Sequence, residues 1–275
     1  MYTNQILSRD KSAPLPTRLP LSPIKKSAKT ALERYCRDHL MRQNIYVDEV
    51  WSHADAKRRV AKMKKSKVSP LISNERQLIN TKSFWLFMKT DTQDIGCASV
   101  QLHNMSGRDP IHYWTDLYSD CYDAHVQTFQ NFKNNHAKFP KDLRGMIAYL
   151  GDFFIEKEFR GNKERVILFT HLLFCRAFSN WPNANLLYAF IRNPDVLRGR
   201  VSLYGFTESI PSPLRFKNVE GRSEIEHFVS ITARDFAYFR DLYRTNPHKL
   251  LEQMAYASVR SCTSYSSRFY NALMM

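Results

Sequence analysis

Five residues in the middle of the chain have the types and spacing to hold a phosphate. Arg160-Gly161-Asn162 is a turn sequence, and Lys163-Glu164-Arg165 opens a segment free of Gly and Pro up to Phe178. If that segment is a helix, its first backbone N–H groups have no intrahelical partner and carry the positive end of the helix dipole. Gly161 to Arg165 is then an anion site in outline, and Arg160, Lys163 and Arg165 add full positive charge to it. A second concentration of charge lies upstream, where Lys57, Arg58, Arg59, Lys62, Lys64, Lys65 and Lys67 fall within one short stretch. Such a run either attracts phosphates in a salt-dependent way or is simply the solvated face of a helix, and no aromatic residues are interleaved with it for base stacking.

The elements that must position the turn are legible around it. Met146 to Ile155 is rich in aromatic and aliphatic residues and stops at Glu156-Lys157-Glu158, which predicts a buried strand. From Lys163 to Phe178, Val166, Phe169, Leu173 and Ala177 recur at helical spacing, and Ile167, Leu168 and Leu172 widen the apolar face into that of a well-buried helix. Trp181-Pro182-Asn183 ends it, and Leu186 to Ile191 is the next strand. Strand, helix and strand form a βαβ unit with parallel strands and a right-handed crossover, so the helix begins beside the carboxyl end of the first strand.

At these residues the sequence resembles the GNAT acyltransferase superfamily. The family follows its fourth strand with a Gln/Arg-x-x-Gly-x-Gly/Ala turn that cradles the pyrophosphate of an acyl-CoA, and later has an Asn followed about a dozen residues on by Gly-Phe. The matching residues are Glu158-Phe159-Arg160-Gly161-Asn162-Lys163, then Asn193 with Gly205-Phe206. Glu158 stands where the family prefers Gln or Arg, and Lys163 and Arg165 stand where small residues are usual. The resemblance spans Met146 to Phe206. It implies an α/β fold, a GNAT-like mixed central sheet flanked by helices, and acetyl-CoA or another acyl-CoA as cofactor.

It also implies roles. The backbone of Phe154 and Ile155 would face the pantetheine arm, and Arg160, Gly161, Asn162, Lys163, Glu164 and Arg165 the diphosphate. Asn193 would touch the cofactor or, as Asn-Pro-Asp, start a helix. Acyl transfer to an amine needs a base and often an acid for the leaving thiolate. Asp152, expected on one strand face with Leu150 and Phe154, is the first base candidate, since partial burial would raise its pKa; it could equally be an ion-pair partner. Glu156 is the second, and Tyr204 is the acid candidate, or a core aromatic before the turn. A gap between the two flanking strands is required for the cofactor to enter.

The rest of the chain frames this unit. Its 275 residues carry a formal charge of +15, with 43% hydrophobic and 13% aromatic residues, so it has enough apolar mass for a proper core and a surface drawn to anions. Residues 1–27 hold Pro14, Pro16, Pro20 and Pro23 and read as an extended arm, and residues 28–275 as one acyltransferase domain. Short helices are expected over Ala28 to Arg42 and Ala54 to Lys67, with a first strand at Ile45 to Val47 between them. Phe84 to Met88 and Ile95 to Leu102 form a hairpin.

Residues 103–145 look like a helical insertion, with Trp114, Leu117, Tyr118, Cys121, Tyr122, Phe129 and Phe132 striping a helix from Tyr113 to Phe132, either as core packing or as a substrate pocket. His103, His112, His125 and His136 are spaced nine, thirteen and eleven apart, which matches no compact metal motif. Pro211 and Pro213 break the chain before a last strand, His227 to Thr232, and a helix, Ala233 to Tyr243; residues 245–275 form an extension with a further helix from Asn246-Pro247.

Five scattered cysteines read as reduced thiols, and no apolar stretch approaches the roughly 18 residues of a membrane span, so a cytoplasmic protein is expected. The functional expectation is an acyl-CoA-dependent N-acyltransferase, with acetyl-CoA as donor and a small amine or a protein as acceptor. The alternative is a non-catalytic basic binding protein, either a degenerate GNAT fold or a nucleic-acid-binding domain.

Overall fold

The computed structural model describes residues 26–65, 68–69, 82–122, 143–215 and 222–255. The proline-rich arm through residue 25, the stripe beyond Tyr122 including His125 and His136, and the end of the C-terminal extension lie outside the described residues.

Seven strands form one mixed sheet in the order β1-β2-β3-β4-β5-β7-β6. They are β1 (Tyr46–Val50), β2 (Ser83–Lys89), β3 (Asp94–Asn104), β4 (Met146–Ile155), β5 (Ala184–Arg192), β6 (Glu208–Arg215) and β7 (Ile225–Thr232). The first four are joined antiparallel, β4 and β5 are parallel, and β7 pairs antiparallel with both β5 and β6. The expected βαβ unit is thus present, its crossover being α4 (Lys163–Asn180).

Helices cover both faces, which is why the central strands are apolar on both sides rather than alternating with polar residues. On one face α1 (Lys26–Met41), α4 and α7 (Ala233–Thr245) enclose a cluster containing Phe84, Leu86, Ala148, Leu150, Leu187 and Val229. On the other, α2 (His53–Lys62) and α3 (Pro110–Tyr122) cover Trp85, Phe87, Ile147, Tyr149, Tyr188 and Phe228. α4 is buried almost all round, from Val166 to Phe178, as its widened apolar face requires.

Three sequence expectations change. α2 stops at Lys62, because the Met63 amide closes back on the Val60 carbonyl and the chain turns extended, so Lys64 and Lys65 leave the helix. β3 runs through Asn104, so residues 103–104 belong to the sheet and not to an insertion; α3 then begins at Pro110, and Trp114, Leu117 and Tyr118 pack on the sheet as core. Pro211 lies within a strand, β6, instead of breaking it. This strand sits at the edge of the sheet, where a missing N–H can point away from the ladder. Two short helices, α5 (Asn193–Leu197) and α6 (Arg200–Tyr204), follow β5, so Asn193 does start a helix.

Among the described residues no helix is long and apolar enough to cross a membrane. Among the described residues Cys36, Cys97 and Cys175 are buried thiols outside any disulfide.

Candidate active site

β4 and β5 are hydrogen-bonded neighbours only from Met146/Ala184 to Tyr149/Tyr188. Both strands continue past that point, β4 to Ile155 and β5 to Arg192, without pairing to each other. The ends of β4 and β5 therefore leave a gap, with their unpaired backbone groups facing it.

A bulge sits on the β4 side of the gap. Cys97 pairs with Phe154, but Ser99 pairs with Gly151, so β4 carries one residue more than β3 between the two positions. Asp152 occupies the bulge with φ +53, a left-handed conformation uncommon outside glycine. The bulge also breaks the expected shared face. Leu150 packs in the cluster under α4, whereas Phe154 packs in the cluster under α2 and α3, and the Asp152 side chain reaches the segment that follows α2. Strict alternation would have put all three together.

Asp152 is 2% exposed, and its Oδ1 accepts from Lys65 Nζ at 2.6 Å and from the Ser69 amide at 2.9 Å. Its Oδ2 is buried and makes no hydrogen bond. Burial raises the carboxyl pKa, and the Lys65 ammonium opposes that rise. Across the sheet, Arg222 pairs with the buried Glu226 at 2.8 Å and donates to Tyr118 Oη at 3.1 Å. Burial likewise raises the Glu226 pKa, against the pull of Arg222.

At the carboxyl end of β4 the chain makes a single 3-10 turn, Lys157–Phe159, and then Arg160-Gly161-Asn162 leads into α4. Gly161 has φ +96 and is exposed, and a Cβ added there would meet nothing within 4 Å. Asn162 is the N-cap of α4, its Oδ1 accepting from the Arg165 amide at 3.0 Å. The amides of Lys163 and Glu164 remain without a helical partner, on an exposed turn open in front of Gly161.

The strand order, the parallel β4–α4–β5 crossover and the gap ahead of the α4 N-terminus agree with the expected architecture. The fold is GNAT-like.

No family model matches the chain, and no curated protein matches it. Solved structures that it resembles include Arabidopsis thaliana Naa50 in complex with the bisubstrate analogue CoA-Ac-MVNAL, at 12% identity over 69% of this chain and 99% of that one, with a TM-score of 0.37. FeeM, an N-acyl amino acid synthase from uncultured soil microbes, is similar at 13% identity over 70% and 92%, with a TM-score of 0.41. Arabidopsis thaliana NAA60 in complex with acetyl-CoA is similar at 10% identity over 68% and 99%, with a TM-score of 0.37. The strand order and gap described above stand independently of these likenesses.

Within the GNAT-like fold the remaining sequence-selected residues take up distinct places. The Arg160 side chain folds back, its Nε donating to the Ile155 carbonyl at 2.7 Å and its guanidinium lying over the Phe154 ring, so it braces the strand end. Arg165 donates to the Phe159 carbonyl at 2.8 Å, its Nε is buried without a hydrogen bond, and burial lowers its pKa. Glu164 accepts from Gln43, and Lys163 is exposed.

Glu156 Oε1 accepts from the Lys64 amide at 2.6 Å, and the residue lines an open groove of about 1270 Å³ beside Met41, Tyr46, Met63 and Phe159. Tyr204 packs against Phe153 with ring centroids 5.3 Å apart, and burial raises the pKa of its phenol. Asn193 Oδ1 lies 3.1 Å from His227 Nε2, whose Nδ1 lies 3.3 Å from Ser209 Oγ. With Nε2–H donating to the amide oxygen, Nδ1 accepts from the serine, a single neutral tautomer that suits the lowering of the His227 pKa by burial.

Among the described residues, four side chains of the basic run are ion-paired. Arg59 pairs with Asp48 and Asp94, Arg58 with Asp55, Lys64 with Glu158 and Lys65 with Asp152. Lys65, Arg222, Glu226 and His227 surround the strand ends, yet the sequence marked none of them as site residues. A charged Arg222 and Glu226 at i and i+4 before an apolar strand was the one local signal available.

Proposed function

We propose that the protein is an acyl-CoA-dependent N-acyltransferase acting on an amine acceptor, with acetyl-CoA as donor. The observation that carries this reading is the end of β4–β5 pairing at Tyr149/Tyr188, directly ahead of an exposed helix N-terminus whose Gly161 leaves open space.

The amides of Lys163 and Glu164, with the charge of Lys163, would hold the diphosphate, while Arg160, Asn162 and Arg165 keep the turn in shape. The unpaired backbone of Phe154 and Ile155 would face the pantetheine amides, and Asn193 would line the β5 side. Bound acyl-CoA supplies a thioester, a carbonyl activated toward amines. The chain's own residues supply proton handling. Asp152 is the proposed base, because burial raises its pKa, which makes the carboxylate a better proton acceptor, and its Oδ2 is unbonded. Tyr204, against Phe153, is the proposed acid for the departing thiolate. Glu156 is committed to the Lys64 amide and holds that segment against the strand end.

Calorimetry with acetyl-CoA and with CoA tests the assignment. The expected result is a Kd on the order of micromolar, weakened at least tenfold by Gly161→Trp, which places an indole in the open space of the cradle. Absence of heat with both ligands, against a folded protein, would sink it.

A further inference from the structure

Lys65 is an unusual neighbour for a base candidate. It lies 87 residues away in sequence, its side chain is 12% exposed, and its Nζ sits 2.6 Å from Asp152 Oδ1. The segment that carries it is tied down on both sides: the Lys64 amide donates to Glu156, Lys64 Nζ pairs with Glu158, and the Ser69 amide donates to Asp152. Four contacts therefore hold Lys64, Lys65 and Ser69 to Asp152, Glu156 and Glu158, at and just past the part of β4 that has parted from β5. A primary ammonium is thus held on the carboxylate that the proposed reaction would use as its base.

We propose that Lys65 is the protein's own acyl acceptor, modified in cis by bound acyl-CoA. This rests on the acyltransferase reading above. The step balances as follows. The Lys65 ammonium gives one proton to Asp152, whose Oδ2 is free of hydrogen bonds. The amine lone pair forms a C–N bond to the thioester carbonyl carbon, the C–S bond breaks, and the thiolate leaves as CoA thiol after taking up the second nitrogen proton. The product is an uncharged Nε-acyl-lysine that can no longer pair with Asp152. Acylation thereby uncovers the carboxylate for an external amine, which makes Lys65 a one-time priming site. Lys64, in the same run, pairs its Nζ with the exposed Glu158 and meets the buried Glu156 only through its backbone amide, and Lys57 and Lys62 are exposed.

The test uses the full chain, incubated with equimolar acetyl-CoA, followed by proteolysis and mass spectrometry of each lysine, with calorimetry on the same sample. The expected result is acetyl-lysine at Lys65 formed faster than at Lys57, Lys62 or Lys64, despite their greater exposure. Excess CoA should suppress it while leaving labelling by acetic anhydride at the exposed lysines unchanged. Asp152→Asn should slow labelling on the order of a hundredfold with acetyl-CoA affinity retained. Acetyl-CoA binding without selective Lys65 labelling would overturn the proposal and leave the acyltransferase reading standing. No binding at all would remove both.

Discussion

Tyr188 Oη accepts a hydrogen bond from Trp114 Nε1 at 3.0 Å and lies 3.0 Å from His103 Nδ1. His103 Nε2 in turn lies 3.0 Å from Gln101 Oε1, so one chain of bonds runs from α3 through β5 to β3, fully buried between Tyr149, Phe190 and Phe228. Each donor finds an acceptor if His103 carries its proton on Nε2. The network welds α3 to the sheet on the face that carries Asp152.

Removing its central hydroxyl should be costly out of proportion to one atom. Tyr188→Phe leaves the Trp114 N–H and His103 Nδ1 buried without partners, a loss of about 1–3 kcal/mol. Urea denaturation against the parent measures it; a change below about 0.5 kcal/mol would show that water or a shifted ring satisfies both groups.

Two buried histidines set a pH dependence. Burial pushes His103 down to about 3 and His171 down to about 4. The unfolded chain takes up both protons near its usual value of about 6.5, and the folded one does not, so unfolding binds protons and stability falls as pH drops from about 6.5 toward 4. Their stabilisation is complete above about 6.5 and diminishes at up to ~1.4 kcal/mol per pH unit for each histidine. The raised carboxyls of Asp152 and Glu226 work in the opposite sense at the acidic end. Urea midpoints at pH 7.5, 6 and 5 should descend, and His171→Leu should make the descent shallower; a flat profile would contradict the neutral burial of both rings.

Gly205 and Gly161 share a left-handed backbone but differ in surroundings. A Cβ on Gly205 would stand 2.6 Å from His171 Cε1 and 3.4 Å from Phe174 Cε2, both deep in the core, whereas one on Gly161 meets nothing. Gly161→Ala should cost about 1–2 kcal/mol from backbone strain alone, and Gly205→Ala clearly more. Thermal unfolding of the two variants checks the order; equal losses would mean that His171 yields freely.

Much of the scaffold was legible because its signals are local. The apolar periods of β4, α4 and β5 and the Arg160-Gly161-Asn162 turn all act within a few residues, so the crossover and the turn that opens its helix could be read directly. The Asp152 bulge could not be, since it exists only as a mismatch in register against β3, and it moved Asp152 and Leu150 to opposite faces. Pro211 misled for a related reason: a proline interrupts an interior strand but not an edge one, and edge position is a property of the whole sheet.

What the amino-acid sequence by itself determined was therefore the order of the elements, the apolar faces that bury them and the glycine turn ahead of α4. Only the tertiary structure decided where β4 and β5 part, and that Lys65 rather than water meets the buried Asp152. Those outcomes depend on contacts between residues far apart in the chain, whose energies are set by burial and distance once the sheet has formed.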